Sequence, residues 1–170
     1  MTTVVEQHHD KALDLQFERV IDVPPHAVWR AWTEPSLMLQ WFTPAPWKTV
    51  ECDIDLRPGG MFRTVMESWE GERFPGLGCY LEVVPNRRLV WTNALLPGFR
   101  PLAAAPIDGC GDFTFSAEVT MTAEGTGTRY TAHVVHADQA GRDKHAAMGF
   151  EQGWSAALDQ LVALMKREAA

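Results

Sequence analysis

The amino-acid sequence predicts an α+β domain, an antiparallel sheet of six to seven strands with a long C-terminal helix and two short helices after the first strand. Three observations predict it. Most of the chain from residue 47 to 136 alternates apolar and polar residues with period two. Its segments follow one another through short turns, the hairpin order of antiparallel strands. The stretch GWSAALDQLVALMKR (153–167) places Trp154, Leu158, Leu161 and Met165 on one stripe, as in a helix lying on a sheet. Between the first strand and the sheet, two proline-initiated segments carry helical spacing.

Residues 1–13 are polar and aperiodic and are expected to be a mobile tail, leaving 14–168 as a single domain. Residues 14–21 read as the first strand. In PPHAVWRAW, Pro24 and Pro25 suit a helix start, where their missing N–H groups cost nothing. Thr33 and Pro35 restart a second helix, PSLMLQWF, with Leu37 and Trp41 one turn apart. WKTVECDIDL (47–56) then sets Val50, Cys52 and Ile54 on one side and Glu51, Asp53 and Asp55 on the other. After the turn RPGG, Phe62, Thr64 and Met66 face away from Arg63 and Glu67, so this hairpin has one wet face.

FPGLGCYLEVV (74–84) and RRLVWTNAL (87–95) form the next pair. DFTFSAEVTMT (112–122) separates Phe113, Phe115, Ala117, Val119 and Met121 from Thr114, Ser116, Glu118 and Thr120, and EGTG turns it into TRYTAHVVH. Residues 95–111 are rich in Pro, Gly and Ala without period, and such a long connection is expected to act as a lid. MGFEQGW (148–154) extends the final helix backwards and places Gly149 and Gly153 inside it, at roughly 1 kcal/mol each against alanine. One helix cannot cover so wide a sheet unless the sheet curls around it, and curling leaves a cavity.

Composition narrows the function. The 22 acidic against 15 basic residues, with no basic cluster, disfavour nucleic-acid binding. No run of eighteen apolar residues and no secretory leader is present, so no membrane insertion and a cytoplasmic location are expected. Cys52, Cys79 and Cys110 lack CxxC spacing, which disfavours both a disulfide framework and a zinc site. HExxH, GxSxG, GxGxxG and P-loop motifs are absent, and neither cofactor nor metal is expected.

Among the histidines, His8 and His9 fall in the tail and read as solvent decoration, and His26 and His145 fall near expected helix starts. His133 and His136 share a strand with opposite parity. If Tyr130, Ala132 and Val134 point inward, His136 does so too. Glu51, Asp53 and Asp55 read as solubilising groups on the wet face. Seven tryptophans and eight phenylalanines are a high aromatic load. Trp41, Phe42, Trp47, Trp91 and Trp154, with Phe62, Met66, Phe115 and Phe150, are the candidate lining of a cavity for an apolar or planar ligand.

FERVIDVPPHAVWRAWTEPSLMLQWF, VECDIDLRPGGMFRTVM, GCYLEVVPNRRLVWT and MGFEQGWSAALDQLVALM together resemble successive motifs of the heat-shock-protein-90 ATPase activator homologues, a branch of the START-like, or SRPBCC, superfamily. The resemblance covers roughly residues 15–166. It implies a helix-grip fold, in which a curved sheet grips the C-terminal helix around a ligand cavity, with Gly149 and Gly153 beside that cavity or at a close backbone approach. The superfamily includes lipid carriers, polyketide cyclases, hydrolases and co-chaperone domains. The leading expectation is binding of a small hydrophobic or aromatic molecule. The alternatives are a cyclase-like enzyme, with His136, Tyr80 and Glu82 as proton-shuttling candidates, and a co-chaperone or dimeric interaction module. The length resembles the single-domain bacterial members rather than the longer eukaryotic activators.

Overall fold

The computed structural model of the chain describes residues 9–103 and 113–170. In order, the elements are β1 (Asp14–Ile21), α1 (Pro25–Thr33), α2 (Pro35–Trp41), β2 (Lys48–Ile54), β3 (Met61–Glu67), β4 (Arg73–Val84), β5 (Arg88–Thr92), β6 (Leu95–Leu96), β7 (Arg100–Pro101), β8 (Phe115–Glu124), β9 (Gly127–His136), α3 (Gln139–Ala147) and α4 (Phe150–Glu168). Seven strands form one antiparallel sheet in the order β1-β9-β8-β5-β4-β3-β2, and β6 and β7 pair separately. The expected α+β architecture is present. Of the segment expected to be a lid, residues 95–101 hold the small β6–β7 hairpin, and 104–112 lie outside the described residues.

The clean alternation in β8 and β9 becomes their two faces. Ala117, Val119 and Met121 are buried opposite Val134, Ala132 and Tyr130, and Glu118 shares the outer face with His133. Two irregularities interrupt that logic. In β2 the register shifts between Thr49 and Glu51, so the inward series is Thr49, Cys52 and Ile54. Val50, expected to point inward, is the extra residue of a bulge. Thr49 tolerates burial because its hydroxyl bonds that of Thr43 at 2.7 Å. A second bulge lies between Tyr80 and Glu82 in β4.

The sheet curls, and two neighbouring residues of α4 demonstrate it. Asp159 pairs with Arg19 on β1, one edge of the sheet, at 2.8 Å. Gln160 donates to the carbonyls of Trp41, the last residue of α2, and of Thr43, and accepts from the amide of Ala45, along the chain that leads into β2, the opposite edge. Seven flat strands would hold those edges roughly 29 Å apart, against a helix about 10 Å across, so the sheet must wrap the helix. The inner surface is the core, with Leu158, Leu161, Leu164 and Met165 of α4 packed among sheet residues and Val28, Ala31, Trp32, Leu37 and Met38 of α1 and α2.

The final helix does not run back through residue 148. It breaks into α3 and α4 at Gly149, which is the N-cap of α4 at φ 85°. Gly149 therefore lies at a chain reversal that only a residue free of Cβ strain adopts readily. α3, which the periodicity does not separate from α4, is capped by Asp138, whose carboxylate accepts from the amide of Gly141 at 2.8 Å. His145, expected near a helix start, stands in the last turn of α3.

Candidate functional site

Where α1, α2 and α4 meet the concave face, aromatic rings form a continuous chain. Trp32 is central, with centroids 5.0 Å from Trp41, 5.7 Å from Phe42, 5.2 Å from Trp91 and 6.3 Å from Trp154. Phe62 extends it, at 5.9 Å from Phe42, 5.5 Å from Trp91 and 5.3 Å from Tyr80. On the helix side Phe150 joins Trp154 at 5.4 Å. Most contacts are edge-on or tilted, the arrangement ring quadrupoles favour. Of the rings expected to line a cavity, Trp41, Phe42, Phe62, Trp91, Phe150 and Trp154 are thus brought together. Trp32, absent from the expected lining, is the hub: it lies four residues after Val28 on the buried stripe of α1, a spacing visible in the sequence.

Polar groups enter this apolar interior at few points. Trp154 Nε1 donates to the Tyr130 hydroxyl at 3.1 Å, and Trp32 Nε1 faces the same hydroxyl without hydrogen-bond geometry. Burial raises the pKa of Tyr130, and the two indoles oppose that rise. The Tyr80 hydroxyl is wholly buried and has no hydrogen-bond partner among the described residues. Burial, and secondarily the nearby Cys52, push its pKa far up, so it is a neutral O–H with both donor and acceptor capacity unspent. The Cys52 thiol is itself pushed up to about 11 by burial and then by Asp53, which keeps it a thiol at neutral pH.

Gly153 adds space. It sits on α4 at the edge of the buried stripe, three residues after Phe150 and four before Ala157, both buried. A methyl group there would meet no atom of the described residues within 4 Å outside the backbone of its own helix. Among the described residues, the backbone of no other element approaches closely at this position. At Gly149 the constraint is backbone conformation, since the nearest atom to an added Cβ is 3.7 Å away.

Other candidates fall elsewhere. Trp47 stacks on Phe74 at 5.2 Å as a separate pair, and Met66 is half-buried near it, opposite Phe74 in the ladder. Phe115 packs with Phe113 and His145, centroids 6.2 and 5.8 Å away. Glu82, beyond the β4 bulge, is drawn into an ion pair with Arg88, which also binds Glu118 of the outer face. His136 points inward as its parity predicts. Its Nδ1 lies 2.8 Å from the Leu13 carbonyl and its Nε2 2.9 Å from His145 Nδ1. The carbonyl requires Nδ1–H on His136, so its Nε2 accepts from His145 Nδ1–H. β9 and β4 are three strand spacings apart, roughly 14 Å along the sheet. His136, Tyr80 and Glu82 hence do not form one proton-transfer group. The expected acid face is paired instead: Arg63 bonds Glu51 and Asp53, each at 2.8 Å.

A curved antiparallel sheet gripping its terminal helix, with aromatic rings packed between them, defines a helix-grip domain of the START-like, or SRPBCC, type. Residues 22–166 match the family described as activator of Hsp90 ATPase homolog 1-like protein, and the chain belongs to that family. A solved structure from Nitrosomonas europaea shares 43% identity over 95% of this chain and 99% of its own, with a TM-score of 0.87. A Rhodobacter sphaeroides structure (22% identity, 94% and 97% covered, TM-score 0.78) shares the fold. So does an AHSA1-like protein from Aeromonas hydrophila (20% identity, 92% and 94% covered, TM-score 0.66). Among curated proteins none matches the chain. No helix among the described residues is long and apolar enough to cross a membrane.

Proposed function

We propose that this domain binds a small, largely apolar, planar or aromatic molecule between the concave sheet and α4. The observation that carries this reading is the Tyr80 hydroxyl. It is buried among Phe62 and its aromatic neighbours with no partner among the described residues. A buried polar group left unpaired costs about 1–3 kcal/mol, and native interiors rarely retain one without water or a ligand to satisfy it. The rings supply apolar contact, and Tyr80 supplies one directional contact to a ligand oxygen or nitrogen.

A cyclase-like reading has less support, because Glu82 is engaged on the outer face and both nitrogens of His136 have partners. Cys52 and Cys79 are both free thiols, which accords with a cytoplasmic setting.

The test is a thermal-shift screen of planar aromatics, polyketide-like compounds and lipids on the native chain and on Tyr80→Phe. A planar ligand bearing an acceptor or donor raises the native melting temperature and binds Tyr80→Phe about tenfold more weakly, the cost of one hydrogen bond near 1.4 kcal/mol. If no compound shifts melting, or all bind both proteins equally, the reading is wrong.

A further inference from the structure

A second cluster lies on the outer face, away from the aromatic interior. Asp14 opens β1, and His133 stands on the neighbouring strand β9, where Asp14 pairs with Val135 and Gln16 with His133. Asp14 and His133 are thus diagonal neighbours on one face. His133 Nε2 lies 2.9 Å from Asp14 Oδ2. His9, expected to be solvent decoration, instead comes back over the strand end. Its Nδ1 is 3.3 Å from the same oxygen, and its ring meets that of His133 edge-on at a centroid distance of 5.6 Å. The three ligand atoms all lie within 4.8 Å of one another.

We propose that His9, Asp14 and His133 form a binding site for a late first-row divalent cation, zinc foremost. Ligand bonds of about 2.0–2.1 Å in a tetrahedron set donor atoms about 3.3 Å apart. Two of the three donor pairs are already at 2.9 and 3.3 Å. Two imidazoles and one carboxylate select zinc and its neighbours over magnesium or calcium, which prefer oxygen cages.

The surroundings hold the carboxylate in place. Asp14 is 5% exposed, and the Asp10 amide donates to its Oδ2 at 3.0 Å, the kind of outer contact that orients a ligating carboxylate. The turn carrying His9 is anchored too: the amides of Leu13 and Asp14 bond the Asp10 carbonyl at 3.0 and 2.8 Å, and the His136 amide bonds the Leu13 carbonyl at 3.1 Å. A bound ion would fasten the segment before β1 to β9. With three protein ligands the fourth position is left for water or a further donor.

Isothermal titration of the metal-free full chain with zinc chloride tests the site, alongside His9→Ala and His133→Ala, with magnesium and calcium chlorides as comparison ions. The native chain takes up one zinc per molecule, and each variant binds at least roughly tenfold more weakly. His9 is on the surface, so His9→Ala unfolds at the native temperature in the absence of metal and decides the matter even if His133→Ala misfolds. Absence of saturable zinc uptake, equal zinc binding by His9→Ala, or equal uptake of magnesium or calcium overturns the proposal.

Discussion

The indole of Trp154 on α4 donates to the hydroxyl of Tyr130 on β9 at 3.1 Å, a directional bond between the gripped helix and the wall of the sheet. Together with the bonds from Arg19 on β1 to Ser155 and Asp159, it fixes how the helix sits against rings that tolerate sliding.

Tyr130→Phe keeps the ring and removes the acceptor, which strands the Trp154 N–H. The expected loss is about 1–2 kcal/mol in urea unfolding, and Trp154→Phe with Tyr130→Phe together should cost less than the sum of the singles. Additive losses would mean that the bond contributes nothing.

Tyr80→Phe should act in the opposite direction on the empty protein. Removing a buried hydroxyl with no partner among the described residues raises stability by about 1 kcal/mol, read as a higher urea midpoint at unchanged slope. A lower midpoint would show that the hydroxyl is satisfied in solution.

The two glycines at α4 should separate cleanly. Gly153→Ala gains helix propensity without a clash and stabilises by about 0.5–1 kcal/mol. Gly149→Ala forces a Cβ into φ 85° and costs about 1–2 kcal/mol. Equal effects of the same sign at both positions would contradict the break between α3 and α4.

His145 makes stability fall in mild acid. Burial, and then the neighbouring His136, hold its pKa at about 4 against an ordinary value of 6.5. The unfolded chain therefore takes up the proton first: the contribution is intact above pH 6.5 and is lost as pH falls toward 4. At about 1.4 kcal/mol per pKa unit, the loss by pH 4 reaches a few kcal/mol. His145→Gln should flatten the decline of the urea midpoint between pH 7 and pH 4.5. An unchanged decline would place the acid sensitivity elsewhere.

Much of this fold is legible in the sequence because period-two patterning is local. The buried and outer residues of β8 and β9 follow from alternation alone, and so does the inward aim of His136. What escapes depends on backbone detail or on distance. A glycine that ends one helix and starts the next looks the same in sequence as one inside a helix, although Asp138, a good cap four residues before Arg142, signals α3. The bulges at Val50 and before Glu82 shift parity without changing composition, so alternation alone puts Glu82 among the cavity candidates and Val50 on the inner face. His9 and His133 are far apart in the chain and meet only because β1 lies beside β9, which no spacing rule reveals.

Native mass spectrometry of the chain incubated with planar aromatic compounds, beside Gly153→Leu, bears most directly on the proposed interior binding site. One compound adduct per native chain is expected, with Gly153→Leu folded by circular dichroism and free of adduct because leucine occupies the open space next to α4. No adduct on the native chain, or the same adduct on Gly153→Leu, would contradict a ligand held between sheet and helix.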